Sequence, residues 1–221
     1  MMGKIAEEFP NKIDSSNQYS YFYNINPYGV DFFNTYYFEY TNNCPECLKE
    51  FLSLEKEKKI IIFNVRLPHY LSDDYFSNGN YVFTSKVSRV YPGIKFINDL
   101  RKLVEYSDLS ILIYPIPEQG WNTRSVILDK KRMNSETNAN LMYEKKYWDS
   151  YSQEADALLD SLVSDKIKRI YPSEIFCESF ILNNCVAEYN DKYFYLDSFH
   201  LSSEGAGLIL EKVNKILFNS K

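Results

Sequence analysis

The stretch Lys59-Ile60-Ile61-Ile62-Phe63-Asn64-Val65 (KIIIFNV) is an almost unbroken apolar run of strand length. It does not alternate between apolar and polar residues. A strand with one wet face alternates, so a continuous run describes a strand covered on both sides, as in a parallel sheet between helices. Leu109 to Tyr114 (LSILIY) repeats the pattern and is stopped by Pro115 and Pro117. Between them, PGIKFINDLRKLVEY sets Ile94, Ile97, Leu100 and Val104 at helical spacing, with Pro92 suited to a first turn. Asp149 to Ser164 reads as a helix with Ala155, Leu158, Leu159, Leu162 and Val163 on one face. Ile167 to Tyr171 reads as a short strand. A last helix from about Ser202 carries a stripe of Ala206, Ile209, Leu210, Val213, Ile216 and Leu217. Strands alternating with helices predict an α/β protein, a three-layer α/β/α sandwich on a mainly parallel sheet, in one domain over 1–221.

The remaining segments are less regular. Met1 to Ile13 reads as a helix fragment, Gln18 to Ile25 as a strand, and Cys44 to Leu54 as a helix capped by Asn42 or Asn43. RLPHYLSDDYFSNGNYVFT, from Arg66, reads as a polar and aromatic loop, and Gly120 to Asn140 as a long loop.

Composition narrows the partners. The chain is 45% hydrophobic and 25% charged, as in ordinary globular proteins, and its net charge of −5 with no basic block argues against nucleic acid. Aromatic residues reach 17%, mostly tyrosine, which suits a sugar-binding surface but follows more simply from AT-rich codon usage. No apolar run is long enough to span a membrane, and Met1 to Asp14 lacks the apolar centre of a signal peptide. Cys44 and Cys47 enclose Pro-Glu, and Cys177 and Cys185 form a second close pair. Two close pairs suit disulfides and an oxidising compartment, while CPEC also suits a redox pair at a helix start or half of a zinc site.

Ligands of such sheets lie beyond the carboxyl ends of the strands. Here that means Asn64 to Tyr70, Tyr114 to Trp121, and Pro172 to Cys177. The turn before the last helix reaches the same edge and holds Asp197, three residues ahead of His200, one of only two histidines. An aspartate at that distance can orient an imidazole as a general base, or simply cap the turn.

YLDSFHLSSEGAGLIL, Tyr195 to Leu210, resembles the last block of the SGNH, or GDSL-type, hydrolases, in which Asp-x-x-His-Leu-Ser leads into a Gly/Ala helix. Three further stretches resemble the SGNH domain at the C-terminal end of acyltransferase family 3 membrane proteins. They are Asn64 to Leu71 (NVRLPHYL) with Phe76 to Asn78, Tyr114 to Trp121 (YPIPEQGW), and the paired-cysteine segment Pro172 to Cys185. Together the matches run from about Phe51 to the end.

This resemblance implies an esterase or O-acyltransferase module acting on acyl (acetyl) esters of cell-surface polysaccharide, without cofactor or metal. His200 would be the base and Asp197 its partner. Asn64, Arg66 and Trp121 would meet the oxyanion or substrate, with a structural ion pair as the rival role for Arg66. The resemblance of the paired-cysteine segment implies a disulfide Cys177–Cys185, and the close spacing of Cys44 and Cys47 suggests a second. The resemblance also implies an extracytoplasmic (periplasmic) setting and attachment to, or pairing with, a membrane acyltransferase domain.

One departure stands out: the chain has no Gly-Asp-Ser nucleophile block. Asp14-Ser15 is the one nearby Asp-Ser, with no strand reading before it. The expectation is therefore an N-terminally truncated domain whose first strand and serine are missing, inactive as it stands. The alternative is a non-catalytic saccharide-binding or interaction module that kept the fold.

Overall fold

Ile60–Asn64 forms strand β1, and its side chains divide as burial on two faces demands: Ile61 and Phe63 enter one core cluster, Ile62 another. The computed structural model describes residues 60–64, 66–71, 75–77, 80–82, 90–132 and 141–218. The helix and strand readings before Lys59, together with Cys44, Cys47 and Ser15, lie outside the described residues.

The main sheet has the order β1-β4-β6, with β4 spanning Leu109–Ile113 and β6 spanning Ile167–Ile170, and both pairings are parallel. On one face lie α1 (Leu67–Leu71), α2 (Val90–Tyr106) and α4 (Lys145–Asp160), through Leu67, Leu71, Ile97, Leu100, Leu103, Ala155 and Leu159. On the other lie α5 (Pro172–Phe176) and α6 (Ser203–Phe218), through Ile175, Phe176, Ala206, Ile209, Leu210 and Val213. The three expected layers are present. Each fully buried aliphatic side chain contributes about 1.5–3 kcal/mol, so the two clusters fix the order of the layers.

Several local expectations need correction. The segment read as a loop after Arg66 contains α1 and a hairpin, β2 (Tyr75–Ser77) paired antiparallel with β3 (Asn80–Val82). The segment read as a loop from Gly120 contains α3 (Thr123–Arg132). Its start is capped by Asn122, whose Oδ1 accepts the Ser125 N–H at 3.0 Å. Helix α4 begins at Lys145 and ends at Asp160, earlier at both ends than read. Leu162 therefore reaches the core from the turn beyond the helix, and Val163 is 91% exposed. Ile94 is likewise exposed, although it shares the spacing of Ile97.

Two further small sheets flank the last strands. β5 (Met142–Glu144) pairs antiparallel with β7 (Asn184–Val186), and β8 (Glu188–Tyr189) with β9 (Lys192–Tyr193). The Cys177–Cys185 disulfide ties the end of α5 to β7, and both cysteines are fully buried. Closing a loop this short stabilises the fold by about 2–3 kcal/mol in the chain-entropy view.

Candidate active site

The turn that carries Asp197 and His200 is closed before any functional group is considered. Tyr195 and Leu201 form an isolated antiparallel bridge, and the Leu196 N–H donates to the His200 carbonyl at 2.8 Å. Buried Phe194 and Tyr195 anchor one side. On the other, Ser202 caps α6: its Oγ accepts the Gly205 N–H at 3.2 Å.

Inside the turn, Asp197 has two tasks. Its Oδ1 accepts the backbone N–H of Phe199 at 2.9 Å and of His200 at 2.8 Å. Its Oδ2 lies 2.6 Å from His200 Nδ1. An ionised carboxylate only accepts, so Nδ1 carries the proton and the lone pair of the neutral ring is on Nε2. Burial works against ionising Asp197, but the His200 ring and the two backbone N–H groups outweigh it, holding the carboxyl below its ordinary value. The His200 side chain is 62% exposed. Asp197 thus caps the turn through one oxygen and meets the His200 ring through the other.

The sheet edge grips this turn from two strands. Beyond β4, the Gln119 N–H donates to the Ser198 carbonyl at 2.6 Å, and Thr123 Oγ1 donates to the Asp197 carbonyl at 3.0 Å. Beyond β1, the Arg66 guanidinium lies 4.1 Å from the centre of the Phe199 ring. Phe199 in turn lies 4.1 Å from the His200 ring, centre to centre.

The other expected site residues sit as follows. Arg66 is engaged by Glu118: Nε donates to Oε1 at 2.6 Å, and a second guanidinium nitrogen meets Oε2. Its geometry is therefore that of the ion pair weighed beside the oxyanion role. Asn64 bridges strand ends, its Nδ2 reaching the Ile113 and Tyr114 carbonyls at 3.3 and 3.4 Å. These contacts are long, so the amide remains weakly committed. Trp121 is half-buried and packs edge-to-face on Tyr143, 6.2 Å between centres, against the cluster holding the disulfide. It stands at the join between the β4 loop and the disulfide region. His69 lies in α1, and its side chain is outside the described residues.

Sequence reasoning passed over Glu118, Gln119, Thr123 and Phe199. Glu118 and Gln119 lay inside the quoted YPIPEQGW segment, and Phe199 inside DSFH. Their exact neighbours gave no indication that Glu118 is buried (4% exposed) and fitted to Arg66. Gln119 is fully buried beside the Tyr195 hydroxyl, yet its amide makes no hydrogen bond of good geometry among the described residues.

A three-layer α/β/α fold with a carboxylate–imidazole pair ahead of its last helix, at the carboxyl edge of a parallel sheet, is the arrangement that the SGNH resemblance implies. The family model described as "SGNH domain (fused to AT3 domains)" matches residues 9–215, and the chain belongs to that family. No curated protein matches the chain. Among the described residues no helix is long and apolar enough to cross a membrane.

Proposed function

We propose that Asp197 and His200 form the base of an acyl-transfer site, in a module that works on acetyl esters of cell-surface polysaccharide. The observation that supports this most is the 2.6 Å Asp197–His200 contact, which frees Nε2 as a base. In such a site His200 takes the proton of an attacking hydroxyl and returns it to the leaving oxygen, while Asp197 stabilises the imidazolium between the two steps. Asn64, at the end of β1, would turn an N–H from its long contacts with the strand-end carbonyls to an oxyanion, where one donor contributes about 3 kcal/mol. Trp121 offers an aromatic wall for a sugar ring. The family's fusion to AT3 domains supports an extracytoplasmic module joined to, or paired with, a membrane acyltransferase domain.

The hydroxyl that His200 would serve is the weak point of the chain, because Gly-Asp-Ser is absent from the sequence. The His–Asp pair alone activates water feebly, so hydrolysis of an activated acetyl ester such as p-nitrophenyl acetate should not rise above the buffer rate. Turnover that disappears in Ser15→Ala would overturn this account by showing that Asp14-Ser15 supplies the nucleophile. The missing block also favours a second reading, in which the same edge binds an acylated saccharide without turning it over.

A further inference from the structure

We propose that the Glu118–Arg66 pair is a positioning device for the His200 ring, acting through Phe199. The proposal rests on the reading of Asp197 and His200 as a base. Glu118 is 4% exposed, and a buried carboxylate is tolerated only when paired. Its two oxygens meet two nitrogens of one guanidinium, a fork that fixes the plane of Arg66 as well as its place. That guanidinium lies over the Phe199 ring at 4.1 Å, and Phe199 touches the His200 ring at 4.1 Å. The described contacts of the His200 ring are thus Asp197 at one edge and Phe199 beside it. A single hydrogen bond lets a largely exposed ring pivot about it, and an aromatic neighbour that is itself held in place opposes the pivot. Arg66 and Glu118 stand just beyond β1 and β4, so the sheet itself sets the spacing. On this account Arg66 is a positioning residue and not an anion-binding one.

The test reads the His200 ring by carbon-13 and nitrogen-15 NMR in the intact chain, where His69→Gln assigns the two histidines. Three variants are compared with wild type. Phe199→Leu removes the ring at a half-buried turn position. Arg66→Lys keeps the charge but not the fork. Arg66→Leu/Glu118→Leu removes the pair without stranding a buried charge. The amide fingerprint of the sheet reports whether each is folded. The expected result is a folded sheet with the Nδ1–H tautomer of His200 reduced by about two-fold or more, the ring averaging toward the Nε2–H form. Folded variants whose tautomer balance equals wild type would overturn the positioning role. A wild-type ring that already carries its proton on Nε2 would instead sink the base reading, before any variant is made.

Discussion

Arg66 shows how one side chain can be costly to lose for two separable reasons. Its partner Glu118 is buried, and Arg66→Ala would leave that carboxylate without its fork. Breaking a buried pair from one side costs about 3–5 kcal/mol. The Arg66 side chain is 33% exposed, so solvent screening brings the expected loss to about 2–3 kcal/mol, measured by urea unfolding. Arg66→Leu/Glu118→Leu should recover most of it, because no buried charge remains.

Asp197 gives a pH signature at the same scale. Its folded carboxyl titrates below its ordinary value of 3.8. A depressed acid adds stability above its unfolded pKa and loses it as pH falls through the folded one. Thermal melts across pH should therefore show Asp197→Asn less stable than wild type near neutrality, with the gap closing below about pH 4. A gap independent of pH would mean that the contact with His200 adds nothing ionic.

At the scale of elements, α6 carries two glycines in opposite settings, and only Gly205 seats the helix. A Cβ on Gly205 would lie 2.2 Å from the Phe194 carbonyl oxygen, a backbone atom that cannot step aside. Phe194 also accepts the Ser202 N–H, so the clash falls on the hinge between the His200 turn and the helix. Gly205→Ala should cost about 2–3 kcal/mol, in the range of overpacked cores. At Gly207 a Cβ meets nothing within 4 Å, and Gly207→Ala should stabilise by about 0.5–1 kcal/mol. Paired melting curves check both signs.

Elements were legible in the sequence where burial imposed a pattern, an unbroken run for a strand covered on both faces and a stripe for a helix covered on one. KIIIFNV, LSILIY and the stripe of α6 could be read because each must bury a whole face. Helix α3 carries no such stripe, and its evidence lay in the Asn122 cap alone. The β2–β3 hairpin was signalled by Asn78-Gly79 between two aromatic stretches, a turn cue that the polar surroundings masked. The early end of α4 follows from Ser161, whose N–H still bonds to Ala157 and Leu158 while the chain turns to bury Leu162.

For the whole molecule, the site could be read only as far as local spacing reaches. Asp197 and His200 meet because a three-residue turn permits it, and that spacing is visible in the chain. Glu118 and Arg66 meet across 52 residues, through the parallel pairing of β1 and β4, and no local pattern encodes that fit. The sheet thus converts distant sequence into one edge where Arg66, Gln119, Thr123 and the His200 turn converge. The central claim is that this edge receives an acyl ester of a sugar. The most direct measurement is a titration of the nitrogen-15-labelled chain with an O-acetylated hexoside, following every backbone amide. The account predicts saturable shifts at Ser198 to Leu201 and Gln119 to Trp121, absent with the deacetylated sugar. Shifts confined to surfaces away from this edge, or none at millimolar ligand, would contradict it.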